Sequence, residues 1–195
     1  MVERILLLAK DFHNNEYVKQ LGSFLAKQGK RVDLVYFDSC EKSEQVEVNF
    51  NAHSITLVLN ADNIFNWAML MNNEIKKKGR ELFEKFGFDI IHGNDWITAP
   101  ASMTLKKLTE KPLVMTIHST EHVRGFGGPH GGIISDLEWW SGFEADYIIS
   151  CDDKTFNSLR NDLKIPDSKL ALIRPVEDWK KKTLDIYELV EKQKK

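Results

Sequence analysis

The chain has 195 residues, with 27 Lys and Arg against 29 Asp and Glu, a net charge of −2, 6 His and 2 Cys. That length holds one large domain and leaves no room for a second full-sized one. The charge balance excludes a nucleic-acid partner held by electrostatics, and no apolar run approaches the ~20 residues that span a bilayer. Cys40 and Cys151 stand alone, without a framework of spacings, which suits a reducing compartment and a cytoplasmic location.

The segment Met1 to Leu8 carries an acidic residue and no cleavage signature, so it reads as a first strand rather than a leader, with Ile5–Ala9 its apolar run. A helix follows from about Asn15 to Gln28, with Val18, Leu21, Phe24 and Leu25 on one face and Gly29 as its stop. Arg31–Phe37 is a second strand. The segment from Gln45 to Asn60 is strand-rich, with Val46, Val48 and Phe50 alternating and Ile55–Leu59 apolar. Asn63 to Phe86 reads as a helix broken near Gly79, its Lys76–Lys78 run a solvated face.

The second half repeats the unit more regularly. Strands are expected at Phe88–His92, Pro112–His118, Asp146–Cys151 and Lys169–Arg174, and helices at Thr98–Leu108, Ile133–Glu144 and Asp153–Leu163. Strands and helices alternating at this spacing imply a doubly wound, Rossmann-like α/β domain with a mainly parallel sheet over residues 1–175. Residues 176–195 form a separate final helix. Asp178 is its N-cap, Trp179, Thr183, Ile186, Tyr187 and Val190 form an apolar stripe, and Lys192, Lys194 and Lys195 lie at its carboxyl end. The stripe requires a docking surface, most simply the domain's own sheet.

Ligands of such sheets sit beyond the carboxyl ends of the strands. The post-strand segments there are polar: Lys10–Asn15, His92–Trp96, His118–Gly132 and Cys151–Lys154. His118, Glu121 and His122 match the letters H-x-x-E-H, but a zinc site of that type needs one continuous helix, and glycines at 125, 127 and 128 argue against one. The glycine-rich loop lets backbone N–H groups approach phosphates or sugar oxygens, with Gly127 and Gly128 as candidate contacts. No P-loop, dinucleotide fingerprint or nucleophile elbow is present. Asp95 and Trp96 beside His92 are the residue types that bind sugars, although Trp96 as a core cap and Asp95 as an N-cap explain them equally well. Trp139 and Trp140 read as core.

Four segments in one order carry a resemblance: FDIIHGNDWITAPASMTLKKLTEKPLVMTIHSTEH, the glycine loop, ISDLEWWSGFEADYIISCDD, and IPDSKLALIRP. Together they resemble the amino-terminal half of GT-B glycosyltransferases, most closely glycogen and starch synthases. Those enzymes carry strands ending in His-x-His-Asp-Trp and Thr-Ile-His and a Glu-Ala-Asp-x-Val-Ile strand. The match covers roughly 88–175 well and 1–37 loosely.

The resemblance implies retaining hexosyl transfer between two Rossmann-like domains, with nucleotide-sugar such as ADP-glucose or UDP-glucose as donor and no resident cofactor or metal. It places His118 at the transferred hexose with Asp95 as its catalytic companion. His92, Trp96, Ser119, Thr120, Glu121, Lys10, Gly127 and Gly128 become substrate contacts, with a glucan or other sugar as acceptor. The departures are specific. Asn94 replaces the second His, Ile97 replaces a His after the Trp, and Lys10–Asn15 lacks the Gly-Gly that approaches the donor diphosphate. Pro175-Val176-Glu177-Asp178 replaces the hinge, and DWKKKTLDIYELVEK resembles the helix that returns from the second domain. The expectation is therefore an acceptor-side domain that is inactive alone, completed by a separate donor-binding domain or by self-association. The alternative is a non-catalytic carbohydrate-binding or regulatory protein of the same fold.

Overall fold

The computed structural model describes residues 2–57, 61–176 and 178–193. Alternating strands and helices run β1 (Arg4–Leu8), α1 (Glu16–Lys27), β2 (Arg31–Phe37), β3 (Lys42–Glu47), β4 (Phe50–Ile55), α2 (Ile64–Phe86), β5 (Ile90–Asn94), α3 (Ala99–Thr109), β6 (Leu113–Ile117), α4 (Glu121–Arg124), α5 (Gly131–Glu144), β7 (Tyr147–Ser150), α6 (Asp153–Asn161), β8 (Leu170–Leu172) and α7 (Trp179–Gln193). The strands form one sheet in the order β3-β4-β2-β1-β5-β6-β7-β8. All pairings are parallel except β3 with β4, a hairpin that lies antiparallel at the edge. The fold class expected from the sequence is correct, with that one antiparallel strand added.

The strands read as unbroken apolar runs because both sheet faces are covered. One face buries Leu6, Leu8, Val35, Ile91 and Met115 against α2 and α3. The other buries Ile5, Leu7, Leu34, Ile90, Val114 and Ile149 against α1 and α7. The final helix thus docks on its own sheet, with Trp179, Thr183, Ile186, Tyr187 and Val190 all buried. Side-chain oxygens start four helices: Asn15, Asn63, Thr120 and Asp152 accept from the N–H groups of Val18, Asn66, Val123 and Thr155.

Some expectations need correction. α2 runs through Gly79 without a break, because the glycine is there for contact: a Cβ at 79 would sit 2.6 Å from Leu105 of α3. Of the Ile55–Leu59 run, β4 takes only Ile55, and 58–60 lie outside the described residues, as do Met1, Glu177, Lys194 and Lys195. Trp139 and Trp140 are half exposed on the outer face of α5, with Phe143 stacked against Trp139, so neither is core. Asp178 stands at the start of α7 with φ 63°, its carbonyl accepting from the Lys182 N–H at 3.0 Å.

Candidate functional site

Strand order fixes where a site can form. From β1 the chain winds outward through β2 to one edge, and from β5 it winds toward the other. The loops after these two neighbours therefore part, leaving a crevice at the carboxyl ends of β1 and β5, the topological switch point of a doubly wound sheet. A cleft of about 610 Å³ occupies that position, walled by Lys10, Asp11 and Asn14 after β1, Tyr17 on α1, Asn94 at the end of β5 with Asp95 to Ile97 after it, and His118, Ser119 and Arg124 after β6. A shallower apolar hollow of about 570 Å³ continues from it along Phe37, Ile64 and Trp67.

Asp95 organises the centre. Its backbone has φ 58° and ψ 169°, a strained conformation outside the left-handed helical well and otherwise taken by glycine, and the turn sends its carboxylate across to β6. There Oδ1 accepts the His118 N–H at 2.8 Å, and the Ser119 N–H lies close to the same carboxylate. Asp95 therefore holds the tip of the neighbouring strand and makes no capping bond to the 3₁₀ turn Trp96–Thr98 that follows it. Burial pushes its carboxyl pKa up, opposed by the nearby His118 and the two N–H groups. On the far side of β6, the Thr155 hydroxyl donates to the His118 carbonyl at 3.1 Å. The His118 ring projects into the cleft with the Tyr17 ring against it, centroids 4.9 Å apart and nearly perpendicular.

Of the residues singled out from sequence, the structure brings together His118, Asp95, Trp96, Ser119 and Lys10. The other five are elsewhere. His92 is fully buried, its Nδ1 bonded to the Tyr187 hydroxyl and its Nε2 2.7 Å from Thr116 Oγ1. Burial, with His118 close by, drops its pKa to about 3, so it is a neutral core residue. Thr120 is buried as the N-cap of α4, its hydroxyl accepting from the Val123 N–H and lying 2.7 Å from Ser158 Oγ. Glu121 is buried against Arg124, with Nη2 to Oε2 at 2.7 Å. Gly127 and Gly128 lie exposed outside the cleft, and a Cβ on either would meet nothing within 4 Å. Of the neighbouring glycines, Gly125 is the one that needs its freedom, closing α4 at φ 81°.

The H-x-x-E-H letters are split by structure: His118 follows β6 directly, while Glu121 and His122 open the four-residue α4, a turn that the sequence reading missed. Among the described residues no three His, Cys, Asp or Glu are placed to hold a metal ion. Cys151 is not a nucleophile either, because burial, with Asp95 and Asp152 nearby, pushes its thiol up to about 12.

Tyr17 was missed altogether, although its position in the first helical turn after a post-strand loop is the signal that marks it. Asn94, a departure in the sequence motif, donates from Nδ2 to the Leu8 carbonyl, and its buried Oδ1 has no partner among the described residues.

The cleft's charges favour hydroxyls over phosphates. Asp11, Glu16 and Asp95 are acidic. Arg124 is already neutralised, its Nη2 2.7 Å from Glu121 and 2.6 Å from the fully buried Glu138. Lys10 stands over the Trp67 ring at 5.8 Å. Carboxylate, amide, hydroxyl and aromatic groups converging in one crevice recognise a polyhydroxylated ligand by directional hydrogen bonds and ring stacking.

Residues 15–176 match the family described as Glycosyltransferase Family 4. The chain belongs to that family. An uncharacterized glycosyltransferase of Methanocaldococcus jannaschii is 28% identical over 169 residues, which are 80% of this chain and 40% of that protein. A Mycobacterium tuberculosis glycogen synthase is 30% identical over 94 residues, 44% of this chain and 22% of the synthase. The chain thus spans well under half the length of the curated relatives it matches.

Among solved structures, a sucrose-phosphate synthase piece from Thermosynechococcus elongatus, ranges 27–220 and 406–426, superposes with TM-score 0.71 at 18% identity, covering 99% of this chain and 100% of that one. Anabaena HepE in complex with UDP and glucose superposes with TM-score 0.59 at 12% identity, over 88% of this chain and 44% of that one. The fold of this family 4 chain is therefore that of one half of a GT-B glycosyltransferase. No helix among its described residues is long and apolar enough to cross a membrane.

Proposed function

We propose that this family 4 domain is the acceptor side of a glycogen-synthase-like retaining hexosyltransferase, binding sugar at the switch-point cleft and inactive until a donor-binding domain faces it. The observation that carries this reading is the coupling of Asp95 to His118 across adjacent strand tips, which presents an imidazole and a carboxylate to one opening. In this role His118 contacts the transferred hexose, Trp96 stacks on the acceptor, and Ser119 binds a hydroxyl. ADP-glucose or UDP-glucose is the donor and a glucan the acceptor. A departing nucleotide diphosphate needs cations aimed at its phosphates. Because Arg124 is spent on two carboxylates, those cations come from the second domain, whichever polypeptide carries it.

Two further points belong to the same proposal. The last helix is the return helix of a two-domain enzyme, a reading supported by the superposition on a two-range piece of sucrose-phosphate synthase. Location in the cytoplasm is supported by two free cysteines. The acidic wall where a donor phosphate would lie also favours a second reading, a carbohydrate-binding protein without catalysis.

Calorimetric titration of the chain with maltotetraose and, separately, with UDP, ADP and UDP-glucose tests the proposal. Binding of the oligosaccharide with no turnover of either nucleotide-sugar is expected. Turnover by the chain alone, or tight nucleotide binding without sugar binding, contradicts it. Activity gained on adding a donor domain favours the enzyme half, and persistent inactivity favours the binding protein.

A further inference from the structure

Side chains of the last helix reach the site from beneath. Trp179, at the start of α7, stacks on Tyr17 with ring centroids 4.4 Å apart and 22° between planes. Tyr17 in turn sets its ring perpendicular to that of His118. A hydrogen-bonded chain runs alongside: the Tyr187 hydroxyl to His92, His92 to Thr116 Oγ1, and Thr116 Oγ1 to Tyr17 Oη at 3.2 Å. Thr183, one turn beyond Trp179, lies beside the same phenol, its own hydroxyl donating to the Trp179 carbonyl at 3.0 Å. Helix α7 therefore holds Tyr17 by its ring face and by its hydroxyl.

His118 needs such support. Its backbone is fixed by Asp95 and Thr155, yet among the described residues its imidazole makes no hydrogen bond within the protein. The attitude of the ring is left to packing, and Tyr17 is the aromatic ring that contacts it.

We propose that Trp179, Tyr187 and Tyr17 are positioning residues for His118, so that docking of α7 sets the orientation in which the imidazole meets a sugar. The functional half of this inference rests on the cleft being a sugar site; the structural half does not. An edge-to-face aromatic contact is of a size that biases rotamer populations by roughly two- to tenfold, enough to govern how often the ring is correctly aimed.

The test uses the full chain and follows the His118 ring proton and carbon resonances by NMR, together with the Kd for maltotetraose. Trp179→Leu is expected to displace the His118 signals and weaken maltotetraose two- to tenfold. Trp179→Phe, which keeps a stacking ring, restores both. Trp139→Leu, on the exposed face of α5, changes neither. A merely structural role for Trp179 would lower thermal stability without moving His118 in the folded protein. If Trp179→Leu does not fold, Tyr187→Phe takes its place, losing the hydroxyl that starts the relay to Tyr17 while keeping the ring; it is expected to displace the same signals to a smaller extent. His118 resonances that stay in place in the folded variant overturn the inference. Resonances that follow α7 in a chain that binds no maltotetraose overturn the sugar reading and leave the coupling standing.

Discussion

Removing Arg124 tests how the cleft's electrostatics are built. Its guanidinium joins two buried carboxylates, Glu121 and Glu138, and its Nη1 also donates to the Ser119 carbonyl on the cleft wall. The two carboxylates share one Nη2 atom, so their oxygens lie within roughly 5 Å, where like charges repel by about 3 kcal/mol at an effective dielectric near 20. Breaking a buried ion pair from one side costs about 3–5 kcal/mol, and the lower end applies because water reaches the partly exposed arginine. Arg124→Met should therefore destabilise the fold by about 3 kcal/mol at pH 7, a fall of roughly 6–12 °C in Tm for a domain of this size.

The sign of the pH dependence follows from burial, which already raises the Glu138 pKa above its ordinary 4.5, with Arg124 opposing the shift. A group whose folded pKa is raised contributes stability below its unfolded pKa and loses it as pH rises through the folded value. Without the arginine the rise is larger, so the variant's deficit is small near pH 4.5 and grows toward pH 7. Urea denaturation at pH 5 and pH 7 measures it, and Arg124→Met combined with Glu138→Gln should recover at least half of the loss at pH 7. Equal deficits at both pH values, or no recovery in the double variant, refute the reasoning.

Three further outcomes are expected. The buried His92, with its pKa near 3, costs the fold roughly 1.4 kcal/mol per pH unit as pH falls below 6.5, about 2 kcal/mol by pH 5. His92→Asn should flatten that slope in denaturation curves, and an unchanged slope would show that His92 is not the titrating group. Gly93→Ala places a Cβ 2.6 Å from the Met115 sulfur and against the Ser102 hydroxyl, so it should lower stability by about 1–3 kcal/mol by calorimetry. A neutral result would mean that α3 yields more readily than this packing implies. Asp95→Ala strips the His118 N–H of its carboxylate, costing about 1–3 kcal/mol of stability, and should weaken maltotetraose at least about tenfold, whereas Asp95→Asn retains an acceptor and most of the affinity. Equal affinities for the two variants would remove Asp95 from the positioning of the site.

Fold and site differ in how far they can be read from the chain. Runs such as RVDLVYF are apolar over their full length only because both faces of the sheet are covered, so strand positions and layer architecture follow from local pattern. The β3–β4 hairpin is a local pairing turned at Asn49 with φ 69°, and Val46 and Val48 are exposed, so their alternation does not mark a buried strand face. Gly79 looks like a helix breaker by propensity, but it is a contact point for Leu105, a distinction that exists only once α2 and α3 pack. Motif letters point to His118 and Asp95, which the structure sets side by side at the cleft. The same letters put His92 in the site, although its strand continues to Asn94, which carries the histidine into the core. Thr120 and Glu121 were drawn into the site by adjacency to His118, yet the turn into α4 commits one to capping and the other to Arg124. Tyr17 escaped notice because its role depends on a helix that closes over it from the far end of the chain.

The central claim is that the switch-point cleft binds sugar through His118 and its neighbours. Its most direct test is an NMR titration of the chain with maltotetraose, using resolved indole and imidazole signals. Saturable shifts at His118 and Trp96, with Trp139 and Trp140 unmoved, are what this account predicts. Shifts confined to the α5 tryptophans, or none at any oligosaccharide concentration up to the solubility limit, would contradict it.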